Sequence, residues 1–152
     1  MRYWLMKSEP DVFGIDDLMN RPQQTEPWDG VRNYQARNMM RDDMQPGDPV
    51  FFYHSNCVTP GIVGIARIVC PAYPDTTALD PTHPYHDPRS TVDHPRWYRV
   101  DVQLVRKLSR TISLTELKNH PELADMALVR RGNRLSVMPV TPEQWDFILN
   151  LE

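Results

Sequence analysis

The sequence predicts one α+β domain in which a small mixed or antiparallel β-barrel is flanked by short helices. Three observations support this fold class. Runs rich in β-branched and aromatic residues alternate with short helical segments along the chain. No internal repeat, low-complexity tract or linker divides the 152 residues, and this length suits one domain. The 15 prolines and the mean hydropathy of -0.56 indicate long, ordered connections between the elements.

The first half of the chain is predicted to begin with a strand that ends in a polar turn at residues 8–11 (SEPD). Asn33 is a suitable N-cap for a helix that residues 45–48 (QPGD) bring to an end. Two β-type runs follow, and the glycines in the second indicate a bulge or a close backbone approach. The predicted strands are 3–7, 50–54 and 61–69, and the predicted helices are 15–19 and 34–41.

The second half contains a long proline-rich connection and the two clearest helix starts. Five prolines between residues 73 and 96 exclude a central strand and predict an ordered excursion over one face of the fold. Capping boxes at 113–116 (SLTE) and 141–144 (TPEQ) each predict the start of a helix, and Trp145 in the last helix is predicted to lie in the core. The predicted strands are 97–105 and 135–140.

Charge and motif content exclude several functional classes. A net charge of -3 and a pI near 5.9 argue against coating nucleic acid by bulk electrostatics, although a local basic face is compatible with them. No run approaches the roughly 18 apolar residues of a membrane helix, so we expect a cytoplasmic protein without a membrane partner. The nucleotide-hydrolase, dinucleotide-binding, esterase, zinc-protease and zinc-finger motifs are absent.

The proline-rich segment also contains histidines that could be considered as metal ligands. His83, His86 and His94 lie near Asp87, and imidazoles with a carboxylate can hold a metal ion. The prolines keep this segment extended, so no helical spacing presets a coordination geometry. We therefore expect surface histidines, no metal and no cofactor.

Residues 28–33 (WDGVRN) combine an indole, a carboxylate, a turn glycine, a guanidinium and an amide. A nucleobase offers a π-face for stacking and an edge of donors and acceptors, so its pocket needs an aromatic wall beside fixed polar groups. This segment supplies both. The alternative is structural: Trp28 fills the core, while Asp29 and Gly30 turn the chain.

Residues 130–134 (RRGNR) are the densest basic run of the chain. Their Gly-Asn centre predicts a turn that presents three guanidinium groups, and such groups can hold phosphates. A solvent-exposed loop without a ligand is the alternative. A catalytic interpretation is also open, since Lys7, Glu9 or Asp29 could act as a nucleophile or base if the fold buries them.

Six blocks of the chain match the EVE domain family, and the resemblance runs from the first strand to the last helix. The blocks are 3–10 (YWLMKSEP), 28–38 (WDGVRNYQARN), 51–56 (FFYHSN), 60–64 (PGIVG), 95–97 (PRW) and 128–137 (LVRRGNRLSV). The resemblance implies a single PUA-like domain over residues 1–152, in which a small mixed β-barrel flanked by short helices carries a pocket. It also implies a non-enzymatic module that recognises a modified base, either a modified cytosine in DNA or a modified base in RNA.

The family pocket implies a role for several residues of this chain. Trp28 would be the main stacking wall, and Lys7 with Ser8 would form the strand-end pair that lines the pocket. Asn33 and Ser55 would reach the edge of the base.

The remaining assignments concern the second wall and the phosphates. Asp29 would accept a hydrogen bond from an exocyclic amino group. Trp97 is the candidate for a second wall, with Tyr34 behind it, and a purely structural Trp97 is the alternative. The residues expected to bind flanking phosphates are Arg32, Arg130, Arg131 and Arg134.

Two other classes of function stay open at this point. An enzyme acting on a modified base or nucleoside, such as an amidohydrolase or glycosylase, would use Lys7, Glu9 or Asp29. An adaptor would bind a small metabolite or a protein tail in the same pocket. The expected partner is nucleic acid carrying a modified base, and the expected state is a monomer or a weak dimer, since an unpaired barrel edge could pair with a second copy.

Overall fold

The computed structural model describes all 152 residues, and its centre is a curled, six-stranded mixed sheet that forms a half-barrel. The strands of this sheet lie in the order β2-β7-β4-β3-β1-β8. They are β1 (Tyr3–Ser8), β2 (Thr25–Pro27), β3 (Pro49–His54), β4 (Gly61–Ile68), β7 (Asp101–Ser113) and β8 (Val137–Val140). A separate two-stranded ribbon contains β5 (Tyr73–Pro74) and β6 (Tyr98–Arg99). Only β1 and β3 pair in parallel, which makes the main sheet mixed, as predicted.

Short helices surround this sheet. They are α1 (Pro10–Phe13), α2 (Ile15–Met19), α3 (Tyr34–Asn38), α4 (Leu114–Lys118) and α5 (Pro142–Leu149). A π-helical turn at Met39–Asp43 continues α3, and 3₁₀ turns lie at Pro22–Gln24, Thr76–Leu79, Pro121–Leu123 and Ala127–Val129. The predicted helix over 34–41 is thus confirmed in place, with a change of helical type after Asn38.

Both faces of the sheet are covered, and alternation along β1 assigns its side chains to two cores. Trp4 and Met6 belong to a core beneath α2 and α3, together with Phe52 of β3. Leu5 lies in a second core on the opposite face, together with Phe51. This is the period-2 alternation of a strand between two packed layers.

The C-terminal helix confirms its predicted start and its predicted core residue. The Thr141 hydroxyl accepts from the Gln144 amide at 3.1 Å, and the Gln144 side chain accepts from the Thr141 amide at 3.0 Å. This reciprocal capping box satisfies two amides that an uncapped helix would leave free. Trp145 packs on Phe51 with ring centroids 3.8 Å apart.

The predicted capping box at 113–116 forms only in part. The Ser113 hydroxyl accepts from the Glu116 amide at 3.1 Å. The Glu116 carboxylate instead binds the two terminal nitrogens of Arg110 at 2.7 and 2.8 Å. A bidentate pair with a guanidinium is a stronger interaction for a carboxylate than a neutral amide donor, which explains why the reciprocal bond is missing.

The predicted strand over 97–105 was wrong in its first part. Tyr98–Arg99 pairs with Tyr73–Pro74 in the separate ribbon, and the long strand of the main sheet begins only at Asp101. Between them, the carbonyl of Val100 accepts from the Trp28 amide at 2.7 Å. The chain therefore leaves the two-stranded ribbon and enters the main sheet at Val100. The proline-rich segment that precedes this point crosses one face of the fold.

Candidate functional site

A cavity of about 1000 Å³, called the large cavity below, opens where β1 ends. Loops that follow β1 and β2 form it together with segments around residues 83–85 and 134–136. The Ser55 amide donates to the Ser8 carbonyl at 3.0 Å, and the Lys7 amide donates to the Ser136 carbonyl at 2.8 Å, so neighbouring strand ends fix these loops. The predicted site residues that line it are Lys7, Ser8, Trp28, Asp29, Arg32, Ser55 and Arg134.

Trp28 belongs both to the core and to the wall of the large cavity. Its ring meets Phe52 edge-on, with centroids 5.3 Å apart and planes at 84°, and only 8% of the residue is exposed. The indole N–H groups of Trp4 and Trp97 donate to carboxylates, whereas that of Trp28 has no partner within the protein. The residue therefore offers the cavity a fixed aromatic surface and a free hydrogen-bond donor.

Asp29 places a half-buried carboxyl group beside this indole. Burial raises the pKa of Asp29, and the neighbouring Asp75 raises it further, while Arg99 acts in the opposite direction from 3.7 Å. A carboxylate that has lost part of its hydration is stabilised by any ligand donor that reaches it. Asp29 is therefore suited to accept a hydrogen bond from an amino group.

Asp75, which the sequence analysis missed, holds this wall in place from below. Its side chain is fully buried and accepts from the Gly30 amide at 2.9 Å and from the Thr77 hydroxyl at 2.6 Å. Burial would raise the pKa of Asp75, but the hydrogen bonds from Thr77, Gly30 and Arg32 outweigh it and keep the pKa below its ordinary value. In the sequence, Asp75 is recognisable only as a cap for the turn that begins at Thr76. That pattern does not indicate a contact with Gly30.

Gly30 allows the tyrosine of the proline-rich segment to close over the cavity wall. Its φ is +79°, and a Cβ atom at this position would lie 2.5 Å from the ring of Tyr85. No other residue type fits there without moving that ring. The proline-rich segment crosses a face of the fold, as predicted, and places Tyr85 in the lining of the large cavity. Tyr85 is not among the residues predicted for the site.

Arg32, which is predicted to bind phosphate, lines the large cavity and makes several hydrogen bonds within the protein. Its Nε and one terminal nitrogen donate to the Tyr85 carbonyl at 3.1 and 2.7 Å, and its other terminal nitrogen donates to Asp75 at 3.1 Å. All three nitrogens are already engaged within the protein. Arg32 thereby ties the proline-rich segment to the Trp28 wall.

Asn33, Tyr34 and Trp97, which are predicted to contact the base, do not line the large cavity. The Asn33 carboxamide oxygen accepts from the Ala36 amide at 2.9 Å and caps α3. Trp97 is 4% exposed, donates to Asp87 at 2.7 Å and stacks on Tyr34 with centroids 4.7 Å apart. These contacts are the ones expected of the alternative, in which Trp97 has a structural role.

Lys7 lies between the large cavity and a second groove of about 700 Å³. Burial lowers the pKa of its ammonium group, and no carboxylate lies within ion-pair distance of it. Its Nζ is 5.7 Å from the centre of the Tyr53 ring. The second groove also contains Arg130 and Arg131, so the predicted arginines divide between two sites, with Arg134 at the large cavity.

No group of three or more His, Cys, Asp or Glu side chains is placed to hold a metal ion. None of the helices has the length and apolar character needed to cross a membrane.

A curled mixed half-barrel with short helices and a polar, aromatic cavity at its strand ends defines a PUA-like protein. The EVE domain family model matches residues 2–151, and the chain belongs to the EVE domain family. Thymocyte nuclear protein 1 of Mus musculus is 50% identical over 99% of this chain and 73% of that protein.

Solved structures share this architecture. A protein of Pseudomonas syringae, 52% identical, superposes with a TM-score of 0.94 over 98% of both chains. The human THYN1 protein in complex with 5-methylcytosine-containing DNA is 48% identical, with a TM-score of 0.95 over 99% of this chain and 97% of that one.

Proposed function

We propose that this protein is a non-enzymatic reader of a modified base, with modified cytosine in DNA as the first candidate and a modified base in RNA as the second. The observation that carries the proposal is the large cavity, which combines the free indole N–H of Trp28 with the half-buried carboxyl group of Asp29. The human THYN1 protein, which has the same fold, is in complex with 5-methylcytosine-containing DNA. That complex supports the same class of ligand for this chain.

The proposed recognition divides between shape and hydrogen bonding. A base that leaves its stack enters the large cavity and packs on Trp28, which costs no rearrangement because Phe52 and the core hold the indole. Asp29 accepts from an exocyclic amino group such as the one on cytosine. Ser55 and Ser136 have side chains at the cavity that are free to bind the rest of the base edge. An added methyl group contributes discrimination of about 1–3 kcal/mol by filling an apolar corner.

The proposal is tested by measuring the binding of matched single- and double-stranded oligonucleotides. These carry cytosine, 5-methylcytosine, 5-hydroxymethylcytosine, 5-formylcytosine or N6-methyladenine, in DNA and in RNA. We expect a preference for one modified base over its unmodified match. Equal binding to all of them would overturn the proposal for these ligands.

Two substitutions at Trp28 separate its contributions. Trp28→Phe keeps an aromatic surface and removes the N–H donor, whereas Trp28→Ala removes both. Stacking of a base on an aromatic ring is worth about 1–3 kcal/mol, so we expect Trp28→Ala to lower affinity roughly 5- to 150-fold. Trp28→Phe should lower affinity less. Val105→Ala, which truncates an exposed side chain outside the cavity, is the control and should bind like the wild type.

The same samples test the enzymatic alternative, because Lys7, Glu9 and Asp29 all line the large cavity. Each modified nucleoside and oligonucleotide is incubated with the protein, and the products are separated by chromatography. We expect no conversion. Conversion that disappears in Lys7→Met while binding persists would establish an enzyme in place of a reader.

A further inference from the structure

The charged side chains that line the second groove are all of one sign. Its lining contains four cationic side chains and no Asp or Glu, in a protein whose net charge is -3. The cations are Lys7, Lys118, Arg130 and Arg131. With its apolar floor, which includes Leu114 and Leu128, this feature is called the basic groove below.

These cations are not neutralised by the protein itself. Arg67 and Arg110 elsewhere on the surface bind a glutamine and a glutamate, respectively. Lys118, Arg130 and Arg131 are exposed, and their side chains make no hydrogen bond or ion pair within the chain. Four uncompensated positive charges around one groove repel one another, so an anion that enters relieves this repulsion as well as gaining contacts.

The turn that carries the arginines is built into the fold. The Asn133 side chain donates to the Ala127 carbonyl at 2.8 Å and accepts from the Leu135 amide at 3.1 Å. Gly132 has a φ of +81°, which lets the chain reverse between Arg131 and Asn133. The turn therefore presents its arginines from a fixed backbone.

The basic groove adjoins the large cavity at Lys7. Lys7 lines both of them, and Arg134 faces the large cavity from the same turn that places Arg130 and Arg131 in the groove. A strand that occupies both sites would therefore pass Lys7.

We propose that the basic groove binds the phosphodiester backbone of the DNA strand next to the recognised base, with the strand leaving the large cavity over Lys7. This inference rests on the proposed function, because it takes the ligand in the cavity to be part of a nucleic-acid strand. A chain of regularly spaced phosphates matches a groove lined by cations alone, and the apolar floor suits the sugars between them. The groove supplies affinity that does not depend on the base, and the cavity supplies discrimination.

The test measures how the dissociation constant depends on salt for Arg131→Ala and Lys118→Gln, with the same modified and unmodified DNA oligonucleotides. Each phosphate contact contributes about 0.7 (single strands) to 0.9 (duplex) to the slope of log K against log salt concentration. We expect each variant to reduce the slope by about that amount and to leave the ratio between modified and unmodified DNA unchanged. Both residues are exposed and unpaired, so neither substitution should impair folding.

Matched controls remove the same charge elsewhere. Arg67→Ala and Lys107→Gln alter exposed cations that line neither cavity and should keep the wild-type slope. A wild-type slope in Arg131→Ala and Lys118→Gln would overturn the inference, as would a loss no larger than in the controls. A groove that holds RNA or an acidic peptide instead would show its slope change only with that ligand. The proposed function fails separately, if no DNA or RNA shows a preference for a modified base.

Discussion

Asp29 occupies a position that is unfavourable for a charged side chain, and burial raises the pKa of its carboxyl group. The folded protein therefore holds this proton to a higher pH than the unfolded chain does. Between the ordinary value of 3.8 and the raised pKa, the native state binds more protons, so the free energy of unfolding falls as the pH rises through that interval. Asp29 thus reduces stability at neutral pH, which is understandable if its role is to meet a ligand.

We expect Asp29→Asn to be more stable than the wild type at pH 7, and we expect this gain to vanish well below pH 3.8, where both the native and the unfolded wild type are protonated. The measurement is urea denaturation at a series of pH values. Asp125→Asn, at an exposed position, is the control and should show no such gain. A loss of stability at pH 7 would mean that the ion pair with Arg99 outweighs the effect of burial. The substitution should also weaken binding of a base that has an amino group at its edge.

At the scale of the element, the start of α3 shows how a helix cap can engage a side chain that is also a candidate for ligand binding. Asn33 was predicted both to cap this helix and to reach the edge of a base, and its carboxamide oxygen is used by the Ala36 amide. The first amides of a helix have no partner within it, so an acceptor side chain at the helix start is stabilised by bonding to one of them.

We expect Asn33→Ser to keep the stability and the binding of the wild type, since serine caps a helix about as well as asparagine. Asn33→Ala should cost about 1 kcal/mol in the free energy of unfolding, because the cap is lost. Urea denaturation and oligonucleotide titration of both variants check this. A fall in affinity with Asn33→Ser at unchanged stability would contradict the cap-only role and restore Asn33 as a contact of the base.

At the scale of the whole molecule, both outer strands of the sheet are poor templates for pairing. Strand β2 has three residues and ends at Pro27, and the four-residue β8 contains Pro139. Short edges that lack an amide donor resist addition of a strand from a second copy. The open barrel edge that suggested a weak dimer is therefore protected.

We expect a monomer of 17.8 kDa at micromolar concentration. Sedimentation equilibrium or light scattering on a sizing column measures this mass directly. A concentration-dependent rise toward twice the monomer mass would contradict the prediction, and β8 would then be the first edge to examine by substitution of Val140 with lysine.

The sequence by itself determined the features that depend on neighbours along the chain. Runs rich in β-branched and aromatic residues placed β1, β3 and β4 within a residue or two, and the TPEQ signal placed the start of α5. The same local logic identified Trp28 and Asp29, because the aromatic ring and the carboxylate of this wall are adjacent in sequence. Length and order of the matched blocks predicted the EVE family for the whole chain.

Only the tertiary structure decided which polar groups are free to meet a ligand. Arg32 and Arg131 look alike in sequence, but Arg32 is engaged by Asp75 and Tyr85, 43 and 53 residues away, while Arg131 has no partner. Trp97 likewise donates a hydrogen bond to Asp87 and stacks on Tyr34. A hydrogen bond between distant segments leaves no periodic trace in the sequence, since it depends on how the proline-rich segment folds back over the sheet. Residues close together in the sequence therefore indicated which side-chain types the site contains. Contacts between distant segments decided which of these side chains are free to bind a ligand.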